Sequence, residues 1–247
     1  MIRFIICVIA VVLYVVLSIP LLLITWLISL KRPDISDMIA MYYVKVGFIV
    51  VQPLAGVRST IIGYDKIPRD NAVLFVGNHR SFFDIIVTGA GFFRPTGFVA
   101  KKELGVFPVF SHWMKFIHCK FLDRSDIKAG MQMIMDCITD IKNGVSIVIY
   151  PEGTRNSGEE GSLLPFHEGS LKIAEKTGCA IVPVAISNTQ AIFEEHFPKI
   201  VSTHIVVEYC DPIYPKDLTK EERKQLGSYV RDIIADKLKE HKLKNLY

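Results

Sequence analysis

Ala72-Val73-Leu74-Phe75-Val76-Gly77-Asn78-His79-Arg80-Ser81-Phe82-Phe83-Asp84 carries the change from strand to helix on which the reading of the chain turns. Its first five residues form a compact apolar run that reads as a buried strand. Ile85, Ile86 and Val87 follow, and Ser81 with Asp84 has the S-x-x-D spacing of a helix start. His79 is therefore expected in the turn between a strand's carboxyl end and a helix's amino end, where open α/β sheets place their ligands. Asp84, five positions on, can accept from one imidazole nitrogen, fix the tautomer and stabilise the imidazolium, while the other nitrogen faces a substrate. The positive helix terminus disfavours an imidazolium, so a carboxylate there has a physical task. The same residues also read as no more than a capping box beside a loop histidine, because S-x-x-[DE] before an apolar run is common.

Val145 to Tyr150 reads as a second buried strand and runs directly into Pro151-Glu152-Gly153-Thr154-Arg155. A guanidinium at such a strand end can fork onto two phosphate oxygens, Gly153 permits close backbone approach, and the Thr154 hydroxyl adds a donor. The plainer alternative is a structural Glu/Arg pair. Phe121-Leu122-Asp123-Arg124 closes an aromatic, apolar segment that begins at Phe110, and Ile181-Val182-Pro183-Val184-Ala185-Ile186 lies in a third strand.

Taken in order, these stretches resemble the N-H-x-x-x-x-D, F-I-D-R, E-G-T-R and proline-containing fourth blocks of the glycerolipid acyltransferases, the family of 1-acylglycerol-3-phosphate acyltransferases. The resemblance spans about Asn71 to Asn188. It implies one α/β domain with a mixed sheet flanked by helices. It also implies acyl transfer from acyl-CoA or acyl carrier protein to the free sn-2 hydroxyl of 1-acyl-sn-glycerol 3-phosphate (lysophosphatidic acid), giving phosphatidic acid. His79 and Asp84 would be catalytic. Glu152, Gly153, Thr154, Arg155 and Arg124 would bind the acceptor's phosphate, with Asn78, Ser81 and Pro183 in support. No cofactor or metal is implied, and no G-x-S-x-G nucleophile elbow is visible. Two departures stand out: Phe166-His167-Glu168-Gly169 where the family usually has lysine after the phenylalanine, and His118-Cys119 where a glycine is often found before the second block.

Half of the 247 residues are hydrophobic and mean hydropathy is +0.33. The excess is local: from Phe4 to Leu30 no residue is charged, longer than the roughly 20 residues a helix needs to cross the hydrocarbon core. No small-residue cleavage site follows, so a retained membrane helix, kinked at Pro20, is expected over a signal peptide. Arg3 flanks one end and Lys31 and Arg32 the other, which leans towards a cytoplasmic catalytic domain. Met38 to Val57 reads as a second membrane helix, an interfacial helix or the domain's first packed helix. Neither stretch carries the acidic or histidine relay of a transporter. Residues 1–58 are thus assigned to membrane anchoring and 59–247 to the catalytic domain. The net charge of +4 suits an anionic bilayer or phosphate-bearing substrates, and no nucleic-acid module is present. The five scattered cysteines suggest neither a zinc site nor a disulfide framework.

Along the rest of the domain the sequence predicts a short strand at Phe98-Val99-Ala100, a helix with Met131, Ile134, Met135, Ile138 and Ile141 on its core face, and a flexible loop over 156–162. A helix over Leu171–Lys176, a strand over His204–Tyr209 and a charged helix from a Thr219/Glu222 capping box to Lys242 complete it. Rival readings are the same chemistry on glycerol 3-phosphate or another lysophospholipid, a phosphohydrolase using His79 and Asp84 as metal ligands, and a non-catalytic membrane-anchored lipid-binding protein.

Overall fold

The structure, a computed structural model, describes residues 1–123 and 126–247. The uncharged amino end does not form one helix. It forms α1 (Ile2–Leu17) and α2 (Ile19–Ser29), bent by 45°. Pro20, in the first turn of α2, cannot donate to the preceding turn, and Ser18 Oγ donates to Val15 O at 2.6 Å. α3 (Pro33–Ala55) is packed on the domain: Lys45 Nζ donates to Phe92 O at 2.8 Å, and Phe48 lies so close to Gly89 that a Cβ there would be 2.5 Å from its ring. Tyr14 and Tyr43 stack at 4.6 Å and each donates its hydroxyl to the other's carbonyl. Trp113 stacks on Tyr43 and donates to Ser18 Oγ at 2.8 Å, tying the bend to the domain. Among the described residues α3 is long and apolar enough to cross a bilayer, and α1 with α2 qualifies if the bent pair is one span. Ile2 and Leu17 are 76% and 75% exposed.

Then follow β1 (Val57–Ile62), β2 (Leu74–Gly77), α4 (Phe83–Gly89), β3 (Thr96–Lys101), α5 (Pro108–Phe116), β4 (Lys120–Leu122), α6 (Ile127–Lys142) and β5 (Ser146–Ile149). α7 (Glu168–Thr177), β6 (Ile181–Ser187), β7 (Thr203–Tyr209), α8 (Lys220–Lys224) and α9 (Leu226–Leu243) complete the chain. The sheet order is β1-β7-β6-β2-β5-β3-β4. All neighbours are parallel except β6 and β7, so the sheet is mixed, as expected. Strand alternation feeds two cores: Phe75, Val148, Val182 and Val184 pack beneath α3, α4 and α5, while Leu74, Val76, Ile147 and Ile149 pack beneath α6, α7 and α9. Each fully buried aliphatic stabilises the fold by about 1.5–3 kcal/mol before entropy is counted. The register Val76↔Ile149 sets the carboxyl ends of β2 and β5 side by side, which brings the two motif-bearing turns together.

Several expectations change. α6 is capped by Asp126, whose Oδ1 accepts from Lys128 N and Ala129 N, but Met131 and Met135 are exposed, and Met133, Cys137, Ile138 and Ile141 face the core. Both stripes have helical spacing, and the sheet selects the second. The Thr219/Glu222 capping box is present, yet the carboxyl-terminal helix is two helices. Glu168 of α7 accepts from Gly227 N and Ser228 N, giving α9 its own amino-terminal cap. The sequence pattern does not predict β1 or β4; β4 is only three residues long.

His118 stands before the second block with φ of 60°, a left-handed conformation that costs a non-glycine residue about 1–2 kcal/mol. Its side chain offsets this. Nε2 lies 2.8 Å from Asp37 on α3 and Nδ1 lies 3.7 Å from Asp140 on α6. Burial opposes its charge, but hydrogen bonds to Asp140 and Asp37 prevail and raise its pKa to about 9. The departure from glycine thus joins α3 to the domain.

Candidate active site

Asn78, one residue beyond β2, directs its amide wholly onto β6: Nδ2 donates to Ile186 O and Oδ1 accepts from Ile186 N, both at 2.8 Å. The next residue is held on both sides. His79 N donates to Glu152 Oε1 at 2.9 Å, and His79 O accepts from Asn156 N at 2.7 Å. The imidazole stacks on Tyr150, ring centroids 4.3 Å apart, and its Nδ1 lies 2.8 Å from Asp84 Oδ2. Asp84 is 1% exposed at its side chain and His79 12%, so the carboxylate is sealed and the imidazole reaches the surface.

Asp84 Oδ2 also accepts from Arg80 N at 2.7 Å and Ser81 N at 2.8 Å, and Oδ1 accepts from Thr189 Oγ1 at 2.5 Å. A carboxylate serving this many donors acts as an acceptor only. The proton in the His79 bond therefore belongs to Nδ1, which leaves the Nε2 lone pair for a substrate. The expected capping box is half present. Ser81 N reaches Asp84, but α4 starts at Phe83 with Phe82 as its cap residue, and Ser81 Oγ accepts from Phe83 N and donates to Glu194 Oε2.

In the second motif Glu152 is not available to a phosphate. It is buried, with Oε1 on His79 N and Oε2 on Leu164 N, so it holds the histidine turn. Burial pushes its carboxyl up, against the two amide bonds. Gly153 has φ of 69°, a conformation that favours glycine. Thr154 and Arg155 are exposed. Arg155 lies 3.9 Å over the Phe82 ring and donates to Glu194 Oε1 at 3.1 Å. Arg124 lies outside the described residues. Pro183 is within the sheet, paired with Val76. The expected flexible loop is pinned by buried Arg80, which donates to Gly158 O at 2.6 Å and Glu159 O at 3.1 Å and faces Glu160.

Three functional neighbours escaped the sequence reading: Arg80, Thr189 and Glu194. Nothing local announces them, since the last two approach from beyond β6. Cys119, near the second block, is buried and its thiol is pushed up to about 12 by that burial, which disfavours the thiolate a nucleophile needs. Among the described residues no group of three His, Cys, Asp or Glu is arranged to hold a metal. A buried carboxylate, an imidazole with one free nitrogen and a nearby exposed guanidinium can move a proton beside an anion.

Residues 58–187 match the family described as Acyltransferase. The chain belongs to the acyltransferase family. The 1-acyl-sn-glycerol-3-phosphate acyltransferase of Borreliella burgdorferi is 30% identical over 190 residues, 77% of this chain and 75% of that protein. That of Haemophilus influenzae is 27% identical over 218 residues, 86% and 85% respectively. That of Saccharomyces cerevisiae is 28% identical over 192 residues, 77% of this chain but 63% of the yeast protein. The crystal structure of the 1-acyl-sn-glycerophosphate (LPA) acyltransferase PlsC from Thermotoga maritima shares the fold, with a TM-score of 0.83 over 98% of this chain and 95% of that one at 24% identity. The match covers the acyltransferase motifs from β1 to the end of β6, whereas α1, α2 and α3 lie before it.

Proposed function

We propose that this acyltransferase esterifies the free sn-2 hydroxyl of 1-acyl-sn-glycerol 3-phosphate with a fatty acyl group from acyl-CoA or acyl carrier protein, giving phosphatidic acid. The observation that carries the reading is the His79–Asp84 pair, with Nδ1 committed to a buried carboxylate. Nε2 takes the proton of the hydroxyl as its oxygen attacks the thioester carbonyl. The tetrahedral intermediate collapses, the C–S bond breaks, and the imidazolium returns the proton to the leaving thiolate. Asp84 stabilises the imidazolium between these steps. Arg155 holds the acceptor's phosphate, joined in this reading by Arg124 and the Thr154 hydroxyl, so that binding at a remote group orients the reacting hydroxyl. The names of the relatives support this acceptor. The test is purified protein with labelled acyl-CoA and acyl carrier protein against a panel of lysolipids and glycerol 3-phosphate. Turnover confined to glycerol 3-phosphate, or absent with every acceptor, overturns the reading.

Arg155→Ala should raise the KM for lysophosphatidate far more than that for the thioester, by a loss of about 1.5–3 kcal/mol for one charged hydrogen-bonding partner. Because Arg155 also pairs with Glu194, an equal effect on both substrates would mark it as a brace for that loop instead.

The acceptor and product of this reading reside in the bilayer, the apolar α1, α2 and α3 support a membrane-bound enzyme, and Lys31 and Arg32 after the uncharged run support a catalytic domain on the cytoplasmic side. The protein should sediment with membranes and resist carbonate and high-salt washes. Release by either wash would contradict this. Sidedness is read by protease access to intact and inverted vesicles.

A further inference from the structure

We propose that Thr189 is a positioning residue of the acyl-transfer site, acting through Asp84. The inference rests on His79 and Asp84 being the base and its orienting carboxylate. Asp84 Oδ2 is shared by His79, Arg80 and Ser81. Among the described residues Thr189 supplies the one donor recorded for Oδ1, at 2.5 Å, and both side chains are buried. The carboxylate can rotate about its Cβ–Cγ bond unless both oxygens are held. Three donors on one oxygen fix its position, and the fourth, on the other oxygen, fixes the plane. That plane decides whether the Oδ2 lone pair meets the Nδ1–H in line.

Thr189 is itself held firmly. It lies two residues beyond β6, after Asn188, whose φ is 67°. Asn188 N donates to Glu160 Oε1 at 3.0 Å and Asn188 Nδ2 to His204 O at 2.8 Å. Gln190, on its other side, accepts from Arg80. Arg80 faces Glu160 at 3.1 Å, so one part-buried ion pair reaches both flanks of Thr189. Arg80 is also the residue whose backbone N–H serves Asp84. One residue, Arg80, thus serves the carboxylate with its backbone and the segment that carries the hydroxyl donor with its side chain.

A hydroxyl that only satisfies a buried oxygen would affect folding. One that sets the carboxylate's plane affects turnover. Thr189→Val keeps the shape and removes the donor, Thr189→Ala removes it with less bulk should valine fail to fold, and Thr189→Ser restores it. In the full-length enzyme, with kcat taken per folded molecule, Thr189→Val should lose about 10–100-fold in kcat, the range for one hydrogen bond to a charged group. Both KM values should stay within about threefold, and Thr189→Ser should return most of the rate. In the Asp84→Asn background Thr189→Val should add little, because coupled residues are not additive. Normal turnover of Thr189→Val and Thr189→Ala, with Asp84→Asn inactive, overturns the proposal and spares the base. Fully multiplied losses in the double variant also overturn it. Normal turnover of Asp84→Asn removes the base reading, and this proposal falls with it.

Discussion

Asp84→Asn is expected to fold and to turn over about 10²–10⁴-fold more slowly than the parent, the range for losing a positioned acid–base partner. The amide can keep much of the network. Its carbonyl can occupy the Oδ2 position and receive Arg80 N, Ser81 N and His79 Nδ1, while its NH2 faces Thr189 Oγ1. What it cannot do is offset the positive charge of an imidazolium in a buried site, and the flipped amide would hold the wrong tautomer. If Asp84 only capped α4, asparagine would lose a helix-terminus contribution of about 0.3–1 kcal/mol and no rate. Thermal unfolding and kcat on one preparation separate the two. A variant that melts slightly early and works normally would show that Asp84 is structural.

His79→Ala should likewise lose about 10²–10⁴ in kcat, with both KM values little changed. The imidazole is stacked on Tyr150 and part-exposed, while the backbone bonds of residue 79 to Glu152 and Asn156 do not require the ring. The fold should therefore survive. His79→Gln tests the point further, since it offers a hydrogen bond but no base. Retention of more than about a tenth of the rate in both variants would place the proton transfer elsewhere.

Much of this site is legible in the sequence. A buried strand running into Asn78 and His79, a carboxylate five residues on, and a second strand running into Glu152 and Arg155 are local patterns. They depend on chain geometry over a few residues, and the structure joins them through neighbouring parallel strands. An α/β domain followed from the same alternation of apolar runs with helical periods, and the mixed sheet from the family resemblance.

Other features depended on what each segment meets. Two stripes of α6 had helical spacing, and only the sheet chose between them. Pro20 and the uncharged run predicted a kinked span; the binding of Ser18 by Trp113 fixes that bend against the domain. Glu152 has the spacing of a phosphate site, but its two oxygens accept from His79 N and Leu164 N. Asp84 and Thr189 are 105 residues apart, and no period or spacing links them. The sequence by itself determined that an imidazole and a carboxylate follow one buried strand and a guanidinium follows another, because those properties belong to side chains and short-range geometry. Only the tertiary structure decided which hydroxyl steadies the carboxylate and which acid holds the histidine turn, because a hydrogen bond forms by distance in space, and the order of strands in the sheet sets that distance.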